Sequence, residues 1–264
     1  MSVRVERFGD VIRLRMSSAG SRAAGMDVSA YIVRGVMIDT GFHRARAAVD
    51  AARRELRVQA AIVTHWHEDH AGNVALLAWS GMPLLVRPDT EITLRERPPI
   101  QLYRRIVWGH PPALEGSLVR FESDELQIVH APGHSPDHQI VFDRQTGTLF
   151  SGDLWLGVRT RVLHASEDPY EIARSLALAA ALSPARMFDA HRGLVERPVD
   201  ALTARRAWLL ETLGEVERRI GEGWSDAEIV KRVLGGEERT AYVSRGDYSR
   251  RNLVRAVRRR GVGP

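Results

Sequence analysis

The run Thr64-His65-Trp66-His67-Glu68-Asp69-His70 sets three imidazoles and a ligand-type carboxylate within six residues, directly after the apolar stretch Ala60-Ala61-Ile62-Val63. An apolar strand that ends in such a cluster and then turns into a helix presents nitrogen and hard oxygen donors to metal ions. The plain alternative is a solvated histidine-rich loop. Residues of the same ligand type recur downstream, each just after an expected strand. His134 lies in Pro132-Gly133-His134-Ser135-Pro136-Asp137-His138, Asp153 in Ser151-Gly152-Asp153, and His191 in Asp189-Ala190-His191-Arg192-Gly193. Strand ends are rigid while the loops beyond them vary, so binding residues collect at one edge of a sheet.

With 264 residues, 44% apolar and 27% charged, the chain can bury one large core, or one core plus a small appendage. Cysteine is absent, which excludes disulfides, thiolate ligands and cysteine nucleophiles together. The charged start, Met1-Ser2-Val3-Arg4-Val5-Glu6-Arg7, does not read as an export signal, and the apolar run around Leu176–Leu182 is too short to span a bilayer. The expectation is a cytoplasmic protein without a membrane segment. The net charge of +5, from 38 basic and 33 acidic residues, favours anionic ligands without demonstrating nucleic-acid binding.

Strands are expected at Val11–Met16, Ala30–Val33 and Val36–Asp39 as an opening antiparallel meander, then at Ala60–Val63 and Leu84–Arg87. A second series is expected at Val119–Phe121, Leu126–His130, Gln139–Phe142, Thr148–Ser151 and Ala185–Asp189. Helices are expected over Arg44–Leu56, near Ala71–Trp79, over Pro169–Leu182 and over Val199–Glu222, where Leu209, Leu213, Val216 and Ile220 keep helical spacing. Ser225-Asp226-Ala227-Glu228 reads as a capping box for a helix through Val233, and Asp247 as the cap of a last helix, Tyr248–Arg259. Arg97–Gly116, rich in proline and aromatics, reads as an irregular connector or a pocket wall.

The order Asp39-Thr40-Gly41, His65-x-His67-x-Asp69-His70, His134, Asp153, His191 resembles the metallo-β-lactamase superfamily. Within it the chain is most similar to the hydrolase branch that includes glyoxalase II and endoribonuclease-like proteins with a helical C-terminal appendage. The resemblance covers roughly residues 10–195 through motifs. It implies an α/β fold (α+β): a four-layer αββα sandwich of two mixed β-sheets flanked by helices, with residues 1–197 as catalytic domain and 198–264 as a small helical appendage. It also implies that His65, His67 and His134 hold a first metal, that Asp69, His70 and His191 hold a second, and that Asp153 and a hydroxide bridge the two.

Two divalent ions at about 3.5–4 Å need a shared anionic ligand to offset their repulsion, and they lower the pKa of bound water toward neutrality. Asp69 is then the natural proton shuttle and catalytic residue. Asp39, His138 and Arg192 are candidates for support of the ligands or contact with substrate. Zinc is the first expectation for the two ions, with iron or manganese as alternatives. The expected activity is hydrolysis of a small anionic ester or thioester. Phosphodiester cleavage in RNA, helped by the basic C-terminal helices, is the second reading. A lactonase and a non-enzymatic metal-binding sensor remain as further alternatives, the lactonase weakened because Leu154-Trp155-Leu156 follows Asp153 where such enzymes usually carry a tyrosine.

Overall fold

A computed structural model describes residues 2–261, which fall into two compact units by their contacts. The first runs to His130 and adds Asp137–Asp153 and Ala185–Val195; the second comprises Ala131–Pro136, Leu154–Pro184 and the chain from Glu196 onward. Along the chain the elements are β1 (Ser2–Phe8), β2 (Val11–Ser17), α1 (Ala19–Ala24), β3 (Val28–Val33), β4 (Val36–Ile38), α2 (Arg46–Glu55), β5 (Ala60–Ile62), α3 (Val74–Trp79), β6 (Leu84–Leu85), α4 (Pro88–Glu96) and α5 (Leu102–Trp108). There follow β7 (Leu126–His130), β8 (Gln139–Asp143), β9 (Thr148–Phe150), β10 (Leu163–His164), α6 (Pro169–Ala181), β11 (Arg186–Asp189), β12 (Gly193–Val195), α7 (Pro198–Gly221), α8 (Asp226–Arg232), α9 (Arg239–Val243), β13 (Tyr248–Ser249) and α10 (Arg250–Arg260).

The first unit holds two mixed sheets, as expected. One has the order β1-β2-β3-β4-β5-β6 and the other β12-β11-β9-β8-β7. The pairs β4–β5 and β5–β6 are parallel, so α2 and α3 serve as their crossovers. Alternation along the strands sorts side chains between two cores. Ile32, Met37 and Ala61 join the cluster shared with Phe42, Val49, Leu77 and Trp108 of the helical side. Tyr31, Val33, Val36, Ile38 and Ile62 face the other way and pack on Leu126, Val141, Phe150 and Phe188 of the second sheet. β3 is buried along its whole length and apolar except for Ser29, whose hydroxyl accepts from Arg13 Nε.

In the second unit α6 packs on α7, and α10 packs on α7 and α8. The α8 capping box forms as expected, with Ser225 and Glu228 bonding reciprocally. Buried Arg205 of α7 donates to the carbonyls of Val158 and Thr160 and so ties down the loop after Asp153. No helix among the described residues is long and apolar enough to cross a membrane.

Four local expectations are corrected. Val119–Phe121 forms no strand, because it meets β6 through a single bridge at Arg120 and Val119 is half exposed. The segment 97–116 contains α5. The last helix begins at Arg250 with Ser249 as its cap, since Tyr248–Ser249 is drawn into an extended pair with Leu163–His164. Strand β1 was not anticipated: its charged residues lie on an edge strand, where one face needs no burial.

Candidate metal centre

The ligand-bearing loop leaves the end of β5 and is pinned to the turn after β4. Asp39, in the left-handed region at φ 61, accepts hydrogen bonds from the Thr64 backbone N–H and hydroxyl at 2.8 and 2.9 Å. The Thr40 hydroxyl and backbone N–H both donate to the His70 carbonyl, and Asn73 Nδ2 donates to the Thr40 and Phe42 carbonyls. Gly72 is required where the two segments cross, since a Cβ there would lie 2.3 Å from the Glu68 carbonyl and 2.7 Å from that of Gly41. These hydrogen bonds hold the loop backbone in place.

Within the first unit, donor atoms of His65, His70 and Asp153 lie within 4.8 Å of one another, and so do those of Asp69, His70 and His191. His70 Nδ1 is 2.8 Å from Asp39 Oδ2, which turns Nε2 inward to 3.3 Å from Asp153 Oδ1 and 3.8 Å from Asp69 Oδ2. His191 repeats the arrangement: Nδ1 is 2.8 Å from the Asp27 carbonyl, and Nε2 is 3.2 Å from Asp153 Oδ1. His65 Nδ1 lies 3.0 Å from the Thr64 hydroxyl, and its Nε2 lies 2.9 Å from His67 Nδ1. The backbone N–H of Asp153 donates to His138 Nε2 at 3.1 Å, so His138 orients the turn that carries Asp153. Gly152 is confined there, since a Cβ would sit 2.7 Å from that same Nε2.

The electrostatics of this cluster suit a cation. Burial acts to lower the pKa of His191, but the adjacent Asp153 and Asp69 carboxylates outweigh it and hold the ring at about 9. His70 responds the same way: burial opposes charge, and Asp153, Asp39 and Asp69 raise its pKa well above the usual value. His70 Nε2 is buried with no hydrogen-bond partner among the described residues. A buried ring nitrogen without a partner, facing buried carboxylates, is costly unless a cation completes it. The donor set fits divalent metal on that ground.

His134 belongs to the second unit. Its Nδ1 lies 2.6 Å from Glu167 Oε1, and the His164 backbone N–H donates to Glu167 Oε2 at 3.1 Å. Gly133 abuts the start of α6, where a Cβ would meet Ile172 N at 2.4 Å. A carboxylate on Nδ1 fixes the tautomer and the orientation of the ring.

Three participants escaped sequence reasoning. Glu167 is one. Asp189 is another: its Oδ1 accepts the backbone N–H groups of His191 and Arg192 at 2.7 and 2.6 Å, and burial pushes its carboxyl up to about 6. The third is Glu68, which forms a bidentate ion pair with Arg104 of α5 at 2.5 and 2.7 Å, with both side chains buried. None carries a local signal, because each is an acid in an ordinary turn or a variable motif position. The Arg192 side chain is exposed next to His191.

Residues 24–210 match the family model described as the metallo-beta-lactamase superfamily. The Beta-lactamase-like protein 2 homolog of Drosophila melanogaster is 28% identical over 209 residues, covering 70% of this chain and 68% of that protein. An atrochrysone carboxyl ACP thioesterase of Aspergillus fumigatus is 27% identical over 221 residues, covering 76% of this chain and 64% of the thioesterase. Across five curated relatives the chain spans between 45% and 68% of the relative's own length. Among solved structures, a metallo-beta-lactamase family protein from Thermus thermophilus superposes with a TM-score of 0.69 at 17% identity, over 96% of this chain and 95% of that one.

Proposed function

Because the chain belongs to the metallo-β-lactamase superfamily and carries its hydrolase fold, we propose that it is a metal-dependent hydrolase of a small anionic ester or thioester, working with two divalent ions. The observation that carries this reading is the convergence of His70 Nε2 and His191 Nε2 on one oxygen of Asp153, at 3.3 and 3.2 Å, with Asp69 Oδ2 behind them at 3.8 and 3.9 Å. Asp153 also groups with His65, which falls in the other ligand set, and two neighbouring cations require such a shared anion.

In this reading His65, His67 and His134 would hold one ion, Asp69, His70 and His191 the other, and Asp153 both. The imidazole-rich set suits zinc first, and iron or manganese are also accommodated by mixed nitrogen and oxygen donors. When bound, the ions supply Lewis acidity toward the substrate carbonyl and lower the pKa of water at the site. Asp39, Asp189 and Glu167 hold His70, the His191 turn and His134 in place. Asp69, nearly buried at 7% exposure, takes the proton from the attacking water and passes it to the leaving group. For a thioester the C–O bond forms, the C–S bond breaks, and the sulfur leaves as the thiol. Arg192 offers an exposed cation to a substrate anion.

The thioester class is supported by relatives named as acyl-carrier-protein thioesterases. The C-terminal arginines work largely within the chain, which favours a small substrate over RNA. Arg250 donates to the Leu234 and Gly236 carbonyls, Arg258 to Asp226 and the Trp224 carbonyl, and the Arg260 guanidinium lies 4.0 Å above the Tyr170 ring. The deciding experiment is a hydrolysis panel on metal-loaded protein, comparing thioesters, aryl esters, lactones, a chromogenic lactam, phosphodiesters and short RNA, each against Asp153→Asn. Thioester turnover abolished in the variant is the expected result. Turnover of RNA alone, persisting in high salt, would sink it.

A further inference from the structure

Both peptide planes that flank His65 are held from one short segment of the chain. The Gln139 backbone N–H donates to the Thr64 carbonyl at 2.9 Å and fixes the plane before His65. Asp137 Oδ2 accepts the Trp66 backbone N–H at 2.8 Å and fixes the plane after it. A residue has only two soft backbone angles, and these bonds govern both of them for His65. Gln139 Nε2 also donates to the Val63 carbonyl at 2.7 Å, and His138, between the two, takes the Asp153 N–H. Three consecutive residues of the first unit thus grip the ligand-bearing loop and the turn that carries Asp153.

The hydrolytic chemistry makes no use of Asp137, yet its side chain is buried. The same Oδ2 accepts the hydroxyl of Thr90, a fully buried residue of α4, at 2.7 Å. A buried carboxyl group is costly unless donors meet it, so Thr90 and the Trp66 N–H hold it in one place. The arrangement it supports is close: the His65 and His67 rings lie 4.6 Å apart between centroids. Turning the peptide that carries the Trp66 N–H would swing the His65 ring away from His67. We propose that Asp137 is a positioning residue of the metal centre, which locks that peptide and so aims the His65 ring, with Thr90 as its support. The consequence for an ion rests on the reading above that His65 and His67 share one; the hold on the His65 ring does not.

The test compares the full chain with three variants, each checked for its fold by circular dichroism. Asp137→Leu removes both bonds, Asp137→Asn keeps an oxygen acceptor, and Thr90→Val removes only the support. Zinc affinity is read by competition with chelators, which separates two binding steps. Asp137→Leu is expected to weaken one step by about ten-fold or more and to leave the other at its wild-type value. Thr90→Val weakens the same step by less, and Asp137→Asn restores it. Two unchanged steps in folded Asp137→Leu, or two steps weakened alike, would overturn the proposal. A second readout needs no metal: imidazole nitrogen spectra of the metal-free chain, assigned with His65→Gln and His191→Gln. The His65 signals are expected to move in Asp137→Leu and Thr90→Val, while those of His191, held at the Asp27 carbonyl, stay in place. Unmoved His65 signals in the folded variants would also overturn it. If Asp137→Leu does not fold, Thr90→Val decides on both readouts. If the wild type takes up no zinc, the hydrolase reading falls and the His65 signals alone decide the role of Asp137.

Discussion

Nδ1 of His134 lies 2.6 Å from Oε1 of Glu167, and the two side chains are only 4% and 5% exposed. A carboxylate held this close, in surroundings this dry, sets both the tautomer and the direction of the ring. Glu167→Ala is therefore expected to weaken metal binding by about 10–100-fold. Competition against a graded series of chelators measures it, with circular dichroism to establish that the fold is kept. Unchanged affinity would remove His134 from the proposed ligand set.

Asp153→Asn removes the anion that both imidazoles face while keeping the side-chain shape. The expected outcome is loss of at least about a hundred-fold in kcat/KM together with reduced metal content per chain. His43→Ala serves as the control, since His43 stands outside the ligand cluster. Metal content near two ions per chain in the wild type, with no loss in Asp153→Asn, would contradict a shared carboxylate.

The Glu68–Arg104 pair should behave as a buried ion pair does. Arg104→Leu strands a buried carboxylate and is expected to cost about 3–5 kcal/mol of stability. The double variant Glu68→Gln, Arg104→Leu is expected to recover a large part of that loss, because the uncompensated charge is gone. Urea unfolding of the single and double variants reads the difference, and equal losses in the two would show that the pair matters through packing alone.

Proton linkage gives opposite pH trends with and without metal. In the metal-free chain His191 titrates at about 9, above its ordinary 6.5. A folded pKa raised above the unfolded one adds stability that is fully present below about pH 6.5 and disappears as pH rises through about 9. The stability difference between metal-free wild type and His191→Gln should therefore shrink from pH 6 to pH 9, as thermal melts can follow. Metal binding must displace those protons, so metal affinity should climb over the same interval. A metal affinity that is flat from pH 6 to 9 would contradict protonated imidazoles in the metal-free site.

Much of the strand and helix pattern was legible because it is written in near neighbours. Ala60–Val63, Gln139–Phe142 and the Ser225 capping box are encoded within a few residues of themselves, by alternation or by a local hydrogen bond. Val119–Phe121 misled because a short β-rich triplet forms a strand only if a partner edge is available, and β6 offers it one bridge. Ser249 replaced Asp247 as a cap because pairing of Tyr248–Ser249 with Leu163–His164 moved the start of the helix. That pairing spans most of a hundred residues and leaves no mark on the local sequence.

For the candidate site the division is sharper. The sequence by itself determined the donor types and put each one just beyond a strand, because apolar strand patterns and the His-x-His-x-Asp-His spacing are local properties of the chain. Only the tertiary structure decided which groups stand behind those donors: Asp39 behind His70, 31 residues away, Glu167 behind His134, 33 away, and Arg104 on Glu68, 36 away. The physical reason is that a buried charge must find its partner in space. Burial creates that demand only once the sheets have packed and water has been removed.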